Sequence, residues 1–240
     1  MRRTLTLARK EFIAMFRTPV AYLVIALFLT VASLWFFGVH QFLGRNVASL
    51  RAYFAVVPLL FVVLLPALTM RSWAEERSSG TAELLLTLPF SELQLVAGKF
   101  LGGFALVCVM LIPTLLVPLS VAPLGRFDPG PIIGQYLGTV LLAAAGLAVG
   151  QCASAVSRNQ ISAFLSAAAL LMVLTAFHVV NAVVPLPPTV AATVNQISFL
   201  YHFSGFERGV IDSRAVIYFL VVVGASLGWT THVLAMRRWR

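Results

Sequence analysis

Six predominantly apolar runs, at residues 20–39, 53–70, 100–121, 132–156, 161–184 and 215–236, are each long enough to cross a hydrocarbon layer as an α-helix. Strands are excluded, because lipid does not tolerate unpaired strand edges and barrel segments alternate over roughly ten residues. The fold class read from the sequence is therefore all-α integral membrane, one domain over 1–240 with six transmembrane helices. Composition agrees: 10% of the residues are charged and 60% apolar, too little charge to solvate a globule of this size. A soluble enzyme, a secreted disulfide scaffold and a disordered tail are excluded on that ground.

The net charge of +9 raises nucleic-acid binding, and its distribution removes it. With the N-terminus cytoplasmic, the inner segments hold twelve basic residues: Arg2, Arg3, Arg9, Lys10, Arg17, Arg71, Arg77, Lys99, Arg158, Arg237, Arg238 and Arg240. The outer loops hold five: Arg45, Arg51, Arg126, Arg208 and Arg214. Twelve against five follows the positive-inside rule, and an even number of spans returns both termini to the cytoplasmic side. The expected setting is a multi-pass protein of a bacterial cytoplasmic (inner) membrane, with no nucleic-acid partner. The Arg2-Arg3 pair does not read as a twin-arginine signal, since Lys10, Glu11 and Arg17 precede the apolar run and no small-residue cleavage site ends it. Cys108 and Cys152 fall in spans without C-x-x-C spacing, so neither a zinc site nor a disulfide is indicated.

Between the spans, three segments carry information. Residues 4–17 place Leu5, Ala8, Phe12, Met15 and Phe16 at helical spacing, the pattern of an amphipathic interfacial helix; a frayed tail is the alternative. Thr18-Pro19 supplies an N-cap and first position for the first span. In the inner loop, Thr81 with Glu83 starts a short helix over 80–88 that Pro89 limits, and Ser91 with Gln94 forms a capping box for the next helix, with Phe90 and Leu95 as a hydrophobic staple. The short helix holds Leu84, Leu85, Leu86 and Leu88. It is too short to be stable alone in water and too apolar to stay there. It either seeks a partner surface, at roughly 1.5–3 kcal/mol per leucine buried, or lies on the bilayer or under the bundle. On the outer side, 185–212 is rich in aromatic residues and suits a re-entrant or interfacial hairpin, or else an aromatic belt anchor.

All eight carboxylates (Glu11, Glu75, Glu76, Glu83, Glu92, Asp128, Glu207 and Asp212) lie outside the six runs, which removes the usual machinery of an ion-coupled carrier. No G-x-x-x-x-G-K-[ST] is present: Gly98-Lys99 is followed by Phe100, and position 93 is Leu. An intramembrane protease reading rests on Ser226 between Gly224 and Gly228. His232, however, lies about 240° around the same helix and His178 lies in another span, so Ser226 reads as a small packing residue. Gly134, Gly138, Gly146, Gly150 and Ser154 recur at four-residue steps and point to close helix packing. Thr175, His178 and Asn181 share a sector of one helix, where they line a polar path or hydrogen-bond between helices.

Six spans, an interfacial N-terminal helix and a partner-seeking helix between the second and third spans resemble the permease subunits of ABC-2-type transporters. The residues that carry the resemblance are Glu75-Glu76-Arg77-Ser78-Ser79-Gly80-Thr81-Ala82-Glu83-Leu84-Leu85-Leu86, then Pro89, Ser91, Gly98-Lys99-Phe100 and Ser157-Arg158-Asn159-Gln160. Within the superfamily the stretch looks most like the gliding-motility-associated ABC permeases. The resemblance implies a pair of permeases, two copies or a paralogue, docked on separate ABC ATPase subunits, with accessory membrane or extracytoplasmic subunits possible. It makes 80–88 the cytoplasmic coupling helix seated in the ATPase. The implied ATPase contacts are Glu75, Glu76, Arg77, Gly80, Thr81, Glu83, Leu84, Leu85 and Leu86. The N-terminal helix becomes a connecting helix, and 185–212 the outer hairpin. ATP and Mg would be bound in the partner, with no cofactor, metal or catalytic residue in this chain. A membrane anchor or assembly subunit of a motility or export machine, moving no substrate itself, is the alternative function.

Overall fold

Among the described residues, six helices are long and apolar enough to cross a membrane, at Pro19–Val39, Val57–Ser78, Glu92–Val121, Pro129–Val156, Gln160–Phe177 and Ser213–Met236. The computed structural model describes residues 2–44, 49–80, 91–125, 127–183 and 187–238, and among these every regular element is helical. An N-terminal helix α1 (Arg2–Phe16) precedes α2 (Pro19–Ser33), which continues as a π-helix over Leu34–Val39. Then come α3 (Arg51–Ala55), α4 (Val57–Thr69), the short α5 (Ala74–Ser78), α6 (Glu92–Leu111) and α7 (Leu116–Val121). The remaining elements are α8 (Pro129–Val156), α9 (Gln160–Val183), the two short helices α10 (Pro188–Ile197) and α11 (Phe199–Glu207), and α12 (Ser213–Arg238).

Three boundaries differ from the apolar runs, each for a local reason. The run 53–70 is two helices, because Pro58 sits in the first turn of α4, where its missing N–H costs nothing and a new helix starts. The third span begins at Glu92 rather than at residue 100. Ser91 Oγ accepts from the Gln94 amide and Gln94 Oε1 accepts from the Ser91 amide, both at 3.3 Å, which is the expected capping box. At its far end Pro113 removes a helical donor, and the chain passes through a 3₁₀ turn, Pro113–Leu115, before α7. Thr18 has the extended backbone of an N-cap, yet its hydroxyl donates back to the Met15 carbonyl at 2.8 Å, so it closes α1 instead of capping α2.

α8 is the central helix, packed by α4, α6, α9, α11 and α12. Its small residues explain how so many neighbours reach it. A side chain at Gly138 would collide with Phe206, one at Gly146 with Leu65 and one at Gly150 with Thr69. The second and fourth spans are each 61% buried, whereas the first, fifth and sixth are 28%, 22% and 22% buried. The last three therefore leave broad apolar faces outward, as a chain surrounded by lipid or a second subunit requires.

Candidate functional site at the basic end of the bundle

The end carrying α1 brings together five elements. α1 crosses α6 at two glycines one turn apart: a Cβ at Gly98 would stand 2.6 Å from Leu7, and one at Gly102 would stand 2.8 Å from the Glu11 side chain and 3.1 Å from the Ala8 carbonyl oxygen. The two backbones approach closely because neither position carries a side chain. Leu7 and Ala8 are buried in this contact, while Leu5 and Ile13 stay exposed. Part of the apolar face expected for the membrane interface thus seats α1 on the bundle.

The same crossing buries a cation. The Lys99 side chain, only 4% exposed, places Nζ 2.7 Å from Glu76 Oε1 and 3.2 Å from Glu11 Oε1. Nζ also lies 5.0 Å from the centre of the Trp73 ring. An isolated ammonium could not stay at that depth; it is held because two carboxylates and an aromatic face replace its water. Lys99 belongs to α6, Glu11 to α1 and Glu76 to α5, so one side chain joins three elements. Leu7, Trp73, Leu95, Val96, Ala155 and Leu234 form a separate buried apolar cluster at this end.

Residues 73–77 are fixed to the bundle. Ser154 Oγ accepts from the Trp73 and Ala74 amides at 3.1 and 3.2 Å and donates to the Met70 carbonyl at 3.3 Å. Arg77 Nη1 donates to the carbonyls of Ala155 at 3.3 Å and Val156 at 3.0 Å, and to that of Ser157. Those are the last carbonyls of α8, which lack intrahelical donors and sit at the negative end of its dipole. Arg71 grips Glu75 through two hydrogen bonds, at 2.8 and 3.1 Å. The segment ends at Gly80 with φ +71°, a left-handed turn that glycine adopts without strain.

Of the residues expected to touch an ATPase, Glu75, Glu76 and Arg77 all engage this chain's own atoms. Gly80 closes the described segment, and Thr81, Glu83, Leu84, Leu85 and Leu86, with the rest of the 80–88 helix, lie outside the described residues. Thr175 is buried beside a void of only about 10 Å³ among α4, α8, α9 and α11, at the lower limit for one water. The side chains of His178 and Asn181 are outside the described ones. Ser226 accepts a hydrogen bond through its backbone carbonyl from Thr230 Oγ1. Gly224 and Gly228 face open space.

Sequence reasoning did not single out Lys99, Glu11, Trp73 or Ser154 for this site. A signal existed for one of them: Lys99 interrupts an otherwise apolar helix between Leu95 and Leu111, and a charge so placed calls for a partner. Nothing local could name its partners, since Glu11 is 88 positions away.

A family model described as ABC-2 family transporter protein matches residues 41–208. The match takes in α3 to α11 and leaves out α1, α2 and α12. No curated protein matches the chain.

Proposed function

The chain belongs to the ABC-2 transporter family, and from that membership we propose that it is the exporting permease subunit of an ATP-driven transporter, working with a separate ATPase and a second permease copy or paralogue. Within the family we read the chain as a permease of the gliding-motility-associated kind, on the resemblance of residues 75–86. The basic end faces the cytoplasm of a bacterial cell, by the twelve-to-five asymmetry of Lys and Arg. ATP and its Mg are bound by the partner, and this chain performs no covalent chemistry.

The observation that carries the reading is the bracing of 71–80. A lever is useful only if its base does not yield, and here the base is tied to α8 through Ser154 and Arg77 and to α1 and α6 through Lys99. The leucines after Gly80 then form the contact with the ATPase, while Glu76 and Arg77 act from behind as positioning residues. ATP-driven closure of the partner would push this base as a rigid body and change the packing between permeases.

Leu85→Asp tests the contact. The variant should insert in the membrane at wild-type level and lose at least about tenfold in ATPase capture, the equivalent of one buried leucine. Capture at wild-type level overturns the reading. Cargo-stimulated ATP hydrolysis by the reconstituted complex separates a permease from an anchor, which would show none.

A further inference from the structure

α1 has two unlike faces. At 100° per residue, Leu7, Ala8, Glu11, Phe12 and Met15 fall within about 140° of one another and turn toward the bundle. Leu5, Thr6, Arg9, Lys10 and Ile13 occupy the opposite side and are exposed, Leu5 at 65% and Ile13 at 41%. Arg17 extends that side by one turn, since its amide still donates to the Ile13 carbonyl at 3.2 Å, and it is exposed as well. The row Leu5, Arg9, Ile13, Arg17 therefore alternates apolar and cationic side chains at every turn.

Three observations say what covers this face. Ala8, Phe12 and Met15, the apolar residues that suit a membrane interface, are taken up by the bundle, so any contact of α1 with lipid is left to the opposite side. Its exposed side chains include three cations and no carboxylate. Lys10 also attracts Glu76, whereas Arg9 and Arg17 form no ion pair among the described residues. The chain then fixes how far the face lies from the membrane. The first span starts at Pro19, and four helical steps and two extended ones keep Ile13 within roughly 13 Å of that start. Leucine and isoleucine left bare at that depth are better placed among acyl chains than in water, and arginines one turn away reach the phosphates.

We propose that this face of α1 docks on anionic glycerophospholipids of the adjoining leaflet. Leu5 and Ile13 enter the acyl region, and Arg9, Lys10 and Arg17 take the phosphates and negative headgroups. Each cation held near an anionic surface contributes about fivefold in affinity, and a zwitterionic surface offers no net charge for it to meet. The effect reaches residues 73–77, because Glu11 leaves α1 on the bundle side and pairs with Lys99, which pairs with Glu76. Lipid that pins α1 thereby steadies α5. The bearing of that step on transport rests on α5 being part of the base of a lever, whereas the docking itself does not.

The test is native mass spectrometry of the full-length protein in detergent, titrated with phosphatidylglycerol and phosphatidylcholine of identical acyl chains, joined to hydrogen exchange in nanodiscs of the same two lipids. Phosphatidylglycerol should be retained at least about tenfold more strongly, and the double substitution Arg9→Gln with Arg17→Gln should bring that ratio below about threefold. Arg214→Gln, at the opposite end of the bundle, should leave it unchanged. In nanodiscs, phosphatidylglycerol should slow exchange in α1 and in 73–77 at least about threefold for the unmodified chain and not for the double variant. Equal retention of the two lipids, an equal loss in Arg214→Gln, or exchange that ignores the headgroup would each overturn the proposal. So would a double variant that loses ATPase capture in lipid-free detergent while the unmodified chain shows no headgroup preference, since the ATPase would then own this face. If the double variant does not insert, the headgroup series and the exchange data on the unmodified chain decide alone. Leu85→Asp probes the ATPase contact independently, so a missing headgroup preference leaves the transport reading standing.

Discussion

At the basic end, α1 and α6 meet through glycines, and a buried lysine with two carboxylates and an arginine on a helix terminus tie the elements together; at the opposite end, α11 is held mostly by rings. Phe199, Phe203 and Phe206 of α11 are buried against α8 and α12. Phe199 packs edge-on to Phe219 at 5.8 Å, and His202 stacks on Tyr218 at 3.9 Å. Polar ties there include Gln135 Nε2 donating to the Glu207 carbonyl at 2.8 Å, Tyr218 donating to the Ile197 carbonyl, His202 Nε2 at 3.0 Å from the Gln196 carbonyl oxygen, and Arg51 paired with Glu207 at 2.7 Å. Charge-assisted hydrogen bonds have one good geometry and fail when displaced, whereas ring contacts keep most of their energy through small slides. From that difference the basic end is expected to keep its shape under load and the ring-packed end to shift.

Lys99→Met is the strongest test of that contrast. It leaves Glu11 and Glu76 facing each other without their cation, and removing one member of a buried ionic cluster costs about 3–5 kcal/mol. The expected outcome is a clear fall in thermal stability of the purified protein together with protease cleavage in 71–80, where the wild type resists. Unchanged stability with unchanged resistance would mean that the glycine crossing alone holds this end.

Phe203→Ala probes the other side and should cost less than the same change in a water-soluble core. Lipid is as apolar as the protein interior, so the transfer part of the penalty vanishes and the cavity part remains, on the order of 2 kcal/mol. The loss should be local: faster hydrogen exchange in α10 and α11 with the basic end unaffected. A fall in protection at 71–80 as well would show that the two ends are one cooperative unit.

Much of the bundle was legible because its causes are local or periodic. The apolar runs gave six spans, Ser91 with Gln94 gave a helix start, and the four-residue steps of glycine in α8 gave close packing. The site was legible only in outline. Lys99 is one of twelve orienting charges in the sequence, and charge alone is blind to whether an ammonium is solvated or sealed. Its carboxylates arrive from α1 and α5, 88 and 23 positions away, through a crossing set by Gly98 and Gly102. That Glu76 and Arg77 bond to this chain's own atoms was not legible, because side-chain direction depends on how α5 is docked, which the hydrogen bonds of Ser154 decide.

The smallest expected effect is at the ion pair between Arg51 and Glu207 at the ring-packed end. Arg51 is 58% exposed at the side chain and Glu207 14%, so water competes for the guanidinium and the pair contributes at most about 1 kcal/mol. Arg51→Gln should leave α11 in place, because Gln135 holds the Glu207 backbone and not its carboxylate, and the three phenylalanines are untouched. Thermal stability should change by no more than a degree or two, on the order expected for well under 1 kcal/mol in a chain of this size. If Arg51→Gln instead approaches the loss seen for Lys99→Met, the pair is shielded far better than its exposure implies. The ring-packed end would then be locked by charge as the basic end is, and the contrast between them would fail.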